Sequence, residues 1–215
     1  GNLALLETSP EGFADFVRRN SPLAGEYNVE NVLVAAALAR AAGISEERIR
    51  TTIPRLKPRW GRLERVETAS KAAVFVDFAH TPDAIANVLK TVKAFTKGRV
   101  FAVFGAGGDR DRTKRPLMGA AAARFADRII LTSDNPRSEP PEAIIAEIAA
   151  GIPGNASYAV ESDRAKAIRL ALSEALAGDS VVICGKGHET TQEIAGRFHP
   201  FDDRLVAGNA KPSGV

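Results

Sequence analysis

"VFVDFAHTPDAIANVLKTVKAFTKGRVFAVFG", residues 74–105, decides the fold. It opens and closes on short, almost continuous apolar runs, the mark of strands buried on both faces of a parallel sheet. Between them, from Pro82 to about Lys97, apolar residues recur at helical spacing. Thr81-Pro82 marks the helix start, because threonine suits a cap and proline the first turn. Strand, helix and strand together make a βαβ unit.

The alternation continues along the chain. "VFAVFG" (100–105) leads to a helical pattern from about Thr113 to Ala126, "RIILTS" (128–133) to Pro141–Ala150, and "SYAVE" (157–161) to Asp163–Ala177, capped by Ser162 or Asp163. "SVVICG" (180–185) is the last strand expected, followed by a polar loop and a short C-terminal helix. The predicted class is α/β, a Rossmann-like, mainly parallel sheet with helices on both faces.

The front of the chain differs. "NVENVLVAAALARAAG" (28–43) reads as a helix closed by Gly43, and Ser45 opens a second one with Glu46 and Glu47 in its first turn. "KPRWGRL" (57–63) then breaks the pattern, which places a boundary near residue 66: a mostly helical segment 1–66, then an α/β domain 67–215. The chain starts on "GNLALLETSPEGF" without a methionine, so the expectation is a piece of a longer protein.

Composition narrows the classes. Lys plus Arg number 29 against 26 Asp plus Glu, a scattered surplus that supplies no basic stripe for nucleic acid. A single cysteine, Cys184, excludes an internal disulfide and fits a reducing, cytoplasmic setting. No apolar run approaches the ~18–20 residues a bilayer span needs. A monomer is expected.

In a parallel sheet all strand exits lie on one edge, and ligands of open α/β folds bind there. The exits read "DFAHTPD" (77–83), "GAGGDRDRTKRP" (105–116), "SDNPR" (133–137) and "GKGHE" (185–189), whereas the returns "FTKGR" and "EALAGDS" are ordinary turns. Side chains capable of chemistry are therefore gathered on one side. "GAGGDR" is not a dinucleotide fingerprint, since Arg110 stands where a third glycine is required. Its glycines suit close approach to an anion, with Arg110, Arg112, Lys114 and Arg115 around it. Arg112 and Lys114 read more simply as solvated. "GKGHETT" lacks the upstream glycine of a phosphate-binding loop.

"DNPR" can hold a zwitterion. Arg137 offers a planar fork to a carboxylate, Asn135 donates and accepts, and Glu189 can receive an ammonium. The plain alternative for Arg137 is a surface ion pair with Glu139 or Glu142. His80 and His188 read equally as loop histidines donating to a backbone carbonyl. Cys184 reads as core, and Trp60 as packing at the domain junction.

"DFAHTPDAI", "FGAGGDRDRTKRPLMG", "TSDNPRSEPPEAII" and "VICGKGHETTQEI" together resemble the C-terminal domain of the Mur ligases, in the branch that adds meso-diaminopimelate. "GEYNVENVLVAAALA" (25–39) resembles the end of that family's central ATPase domain. The resemblance implies an ATP-dependent, Mg2+-assisted amide ligase of peptidoglycan synthesis. Such an enzyme joins meso-diaminopimelate to UDP-N-acetylmuramoyl-L-alanyl-D-glutamate through an acyl phosphate. It further implies that Arg110, Asp134, Asn135, Arg137, Gly185 and Glu189 bind diaminopimelate, and that Asn31, Arg62, Asp77 and His80 meet the nucleotide. The family's phosphate loop, metal-binding residues and uridine-binding domain have no counterpart in residues 1–215, so no complete catalytic set and no metal ligand is expected in this chain. Two alternatives stand beside it: a stand-alone binding or regulatory module with this fold, and a related ligase of the folylpolyglutamate or cyanophycin type.

Overall fold

The computed structural model describes residues 10–23, 25–57 and 60–209. Two compact units divide between Arg59 and Trp60. The first is helical, with α1 (Phe13–Asn20), α2 (Glu26–Ala41), α3 (Glu46–Thr52) and a 3-10 turn (Ile53–Arg55). Ser45 caps α3 by accepting from the Arg48 N–H, and Gly43 takes the left-handed conformation after α2. Phe13, Val17, Val29, Val32, Leu33, Ala36, Ile49 and Ile53 form its small core.

The second unit carries β1 (Glu64–Val66), β2 (Ala73–Asp77), α4 (Pro82–Phe95), β3 (Val100–Phe104), α5 (Lys114–Ala123), β4 (Arg128–Leu131), α6 (Pro141–Ala149), β5 (Tyr158–Val160), α7 (Arg164–Glu174), β6 (Ser180–Cys184), β7 (Thr191–Ile194), β8 (Arg197–Pro200) and α8 (Asp203–Gly208). The sheet order is β1-β2-β6-β3-β4-β5, parallel except for the antiparallel edge strand β1. The α/β, mainly parallel expectation holds.

Alternation within each strand divides the core in two. Phe75, Ala102, Phe104, Ile129, Leu131, Val182 and Cys184 face α4, α5 and α6, whereas Val74, Val76, Phe101, Val103, Ile130, Val181 and Ile183 face α7 and α8. Thr81 caps α4 with Pro82 at its first turn, and Asp163 caps α7.

Three expectations need correction. The boundary lies at 59/60 rather than near 66, because β1 pairs with β2 and so belongs to the sheet. The polar loop after Glu189 contains a β-hairpin, β7–β8, joined by Ala195-Gly196. Trp60 is 72% exposed, its ring 5.7 Å from the Arg204 guanidinium.

Candidate functional site

Four strand exits converge on one cavity of about 250 Å³ at the carboxyl edge of the sheet. Phe78 and His80 come from the β2 exit, Gly105, Ala106, Gly107, Arg110 and Lys114 from β3, Asp134, Asn135 and Arg137 from β4, and Gly185 and Glu189 from β6. All six residues expected to grip the amino acid therefore line one space. Lys114, read as solvated, lines it too, and its ammonium donates to the His80 carbonyl.

The β3 and β4 exits are stapled to one another. Gly108 N–H donates to the Asn135 carbonyl, and the Asp109 carboxylate accepts from the Ser138 hydroxyl and N–H. Arg115 is fully buried at the base, donating to both oxygens of Glu139, to Glu147 and to the Gly107 carbonyl. The Arg115 guanidinium holds the Glu139 carboxyl down at about 2. Gly108 is required sterically, because a Cβ there would fall 1.9 Å from the Pro136 carbonyl oxygen.

Arg137 does not pair with Glu139 or Glu142. Its Nε donates to Glu193 at 3.0 Å and its Nη1 to the Gly108 carbonyl at 2.7 Å, leaving Nη2 for a ligand. Arg137 sits at φ 53°, a left-handed conformation that a non-glycine residue holds only when its surroundings impose it. The hairpin imposes it: Arg137 N–H donates to the Glu193 carbonyl, and Ala195 N–H donates to the Arg137 carbonyl. Gln192 adds a bond from its amide to the Asp134 carbonyl, and Glu193 N–H donates to Asn135 Oδ1. Sequence reasoning missed this second tier, whose one trace was the polar run after Glu189.

On the β6 side, Glu189 Oε2 accepts from Asn135 Nδ2 at 2.9 Å and from Lys186 Nζ at 3.1 Å. Asn135 and Glu189 thus meet across 54 residues of chain. Gly185, at φ 116°, is enforced, since a Cβ would come within 2.2 Å of Asp134 Oδ2. Arg164, fully buried, pairs with Asp203 and donates to the Ser133 and Cys184 carbonyls, so one guanidinium clamps two strand ends and α8. Burial drives the Cys184 thiol well above its ordinary range, as befits a core residue.

The residues expected at the nucleotide divide. Arg62 is exposed with its guanidinium 4.9 Å from the Phe78 ring, and His80 donates from Nδ1 to the Phe78 carbonyl. Asp77 is buried and its two oxygens accept from Leu63 and Ala79 N–H groups, holding the β2 exit. Burial pushes its carboxyl up, against the pull of those two bonds and of Arg62. Asn31 lies exposed on α2, in the first unit. His188 is also exposed, its ring 5.2 Å from that of Phe78.

This fold, with its polar strand exits gathered on one edge, points to one family of proteins. The chain belongs to the Mur ligase family: the family's "Mur ligase, glutamate ligase domain" matches residues 61–187. More particularly, it is 48% identical over 200 residues to a UDP-N-acetylmuramoyl-L-alanyl-D-glutamate–2,6-diaminopimelate ligase of Synechococcus elongatus, covering 93% of this chain and 40% of the relative. The ligase of the same name from Rhizobium meliloti is 48% identical, over 91% of this chain and 40% of its own length. A solved structure of such a ligase superposes with TM-score 0.69 at 46% identity, covering 88% of this chain and 39% of the other. Escherichia coli FolC in complex with ADP gives 0.58 at 29% identity, covering 79% and 39%. The chain thus spans about 40% of the length of the curated relatives it matches.

Proposed function

We propose that this chain presents the incoming amino acid in an ATP-dependent ligase that joins meso-diaminopimelate to UDP-N-acetylmuramoyl-L-alanyl-D-glutamate. The observation that carries the proposal is the cavity itself, where Arg110, Asn135, Arg137 and Glu189 from three strand exits surround a volume of amino-acid size. In this reading the Arg137 fork takes the distal carboxylate and Glu189 the ammonium beside it. Asn135 spans the two, and Arg110 and Lys114 supply positive charge to the remaining carboxylate. The hairpin and the Arg115 staple prevent these groups from relaxing, so the amino acid is oriented before reaction.

ATP, when bound, supplies the phosphoryl group that activates the acceptor carboxylate. Arg62, His80 and Asp77 are assigned to meet it, Asp77 chiefly by fixing the loop that carries His80. Among the described residues no set of three His, Cys, Asp or Glu side chains is placed to hold a metal, so no step is assigned to Mg2+ here. The sequence contains no phosphate-binding loop, and on this proposal the chain alone turns over no ATP.

Calorimetry with the 215-residue chain is the test. Lysine lacks the distal carboxylate, so meso-diaminopimelate is expected to bind at least about tenfold more tightly, the worth of one charge-assisted fork. Arg137→Ala is expected to abolish that preference. Equal binding of both amino acids by the unaltered chain would overturn the proposal.

A further inference from the structure

Lys186 is wholly buried, and nothing in the ligase reading uses it. A buried lysine is costly unless its ammonium is well paired. Its Nζ reaches Asn135 Oδ1 at 3.0 Å and Glu189 Oε2 at 3.1 Å. Each contact removes an ambiguity. An amide can face either way, but with Lys186 and the Glu193 N–H both aimed at Oδ1, the Asn135 amide must turn its Nδ2 to Glu189. A carboxylate has two equivalent oxygens, but with Asn135 and Lys186 both on Oε2, Oε1 is the oxygen left for a cation in the cavity.

We infer that Lys186 is a positioning residue that sets the amino-acid specificity of the cavity by committing Glu189 Oε1 to the ammonium on the ligand's distal carbon. The inference rests on the diaminopimelate reading and extends it to a side chain buried behind the site. Neither Lys186 nor its ammonium contacts the ligand in this arrangement; it acts through Glu189 and Asn135.

The comparison ligand is 2-aminopimelate, which keeps the distal carboxylate and lacks the amine beside it. In calorimetry the unaltered chain is expected to prefer meso-diaminopimelate over 2-aminopimelate by about tenfold. Lys186→Met, close in volume and uncharged, is expected to weaken meso-diaminopimelate by about that factor while leaving 2-aminopimelate within about twofold. A general loss of packing would weaken both equally, and that result, or an unchanged preference, overturns the inference. A crystal structure of the ligand-free variant decides independently of binding, because a Glu189 carboxylate left in the same place and orientation beside Asn135 would also overturn it. If Lys186→Met does not fold, the Lys186 ammonium 15N resonance of the unaltered chain must move at saturating meso-diaminopimelate; an unmoved signal sinks the assignment. An unaltered chain that cannot tell meso-diaminopimelate from lysine refutes the ligase reading instead, leaving the ligand-free geometry to stand or fall on the crystal structure.

Discussion

Arg115 shows how much one side chain organises when water is excluded from it. It was legible as positive charge near the β3 exit, yet its partners Glu139 and Glu147 lie 24 and 32 residues away, beyond any local pattern. The pairing has a pH signature. Glu139 ordinarily titrates near 4.5 and is held at about 2 in the folded chain, first by its bonds from Arg115 and then by the Asp109 N–H. A carboxylate lowered on folding contributes stability that is complete above its unfolded value and lost as pH falls toward the folded one. In urea unfolding, the stability gap between the unaltered chain and Glu139→Gln is therefore expected to be widest above about pH 5 and to narrow toward about pH 2. A gap independent of pH would show that Arg115 holds Glu139 no differently in the folded and unfolded chains. Lys186 escaped the sequence reading because Glu189 is its near neighbour but Asn135, 51 residues away, is brought to it only by the fold. Asn135, Arg137 and Glu189 were legible because their types, at the ends of parallel strands, already imply a shared edge.

At the scale of elements, legibility followed burial. Four parallel strands, β2, β3, β4 and β6, were read as the apolar runs that two-sided burial imposes; β5 is an edge strand with Tyr158 and Val160 exposed, and β1 and the β7–β8 hairpin expose polar residues and resemble loops. Arg197 to Pro200 are all exposed, so β8 carries no alternation to read. The hairpin nevertheless fixes the "DNPR" turn, and its own turn is imperfect. Ala195 at φ 49° and Gly196 at φ 72° show the sign pattern of a type I′ turn, which favours Asn-Gly. Alanine in the left-handed region costs about 1 kcal/mol, much of which asparagine avoids through local hydrogen bonding. Ala195→Asn is expected to raise unfolding stability by about 0.5–1 kcal/mol and to leave the meso-diaminopimelate preference unchanged. A destabilised variant in thermal or urea melts would show that Ala195 is held by more than its turn.

At the scale of the whole molecule, the residues assigned to the amino acid and most of those expected at the nucleotide fall within one unit, with Asn31 alone in the other. That unit brings its own apolar core on each face of its sheet, whereas the helical unit, among the described residues, closes on eight buried apolar ones. Chains near 60 residues bury a smaller fraction of their surface and are marginal alone. The helical unit also presents an apolar cavity of about 220 Å³ among Val32, Ala36, Ile44, Ile49, Ile53 and Leu56. If amino-acid binding belongs to the sheet edge, residues 60–215 should suffice for it. Expressed alone, they are expected to unfold in one cooperative transition and to bind meso-diaminopimelate within about threefold of the full 215-residue chain, a difference below ~1 kcal/mol. Residues 1–59 alone are expected to show no cooperative melt by circular dichroism. A sheet unit that melts normally yet no longer binds would move part of the amino-acid site into the helical segment, because every side chain lining the cavity would still be present.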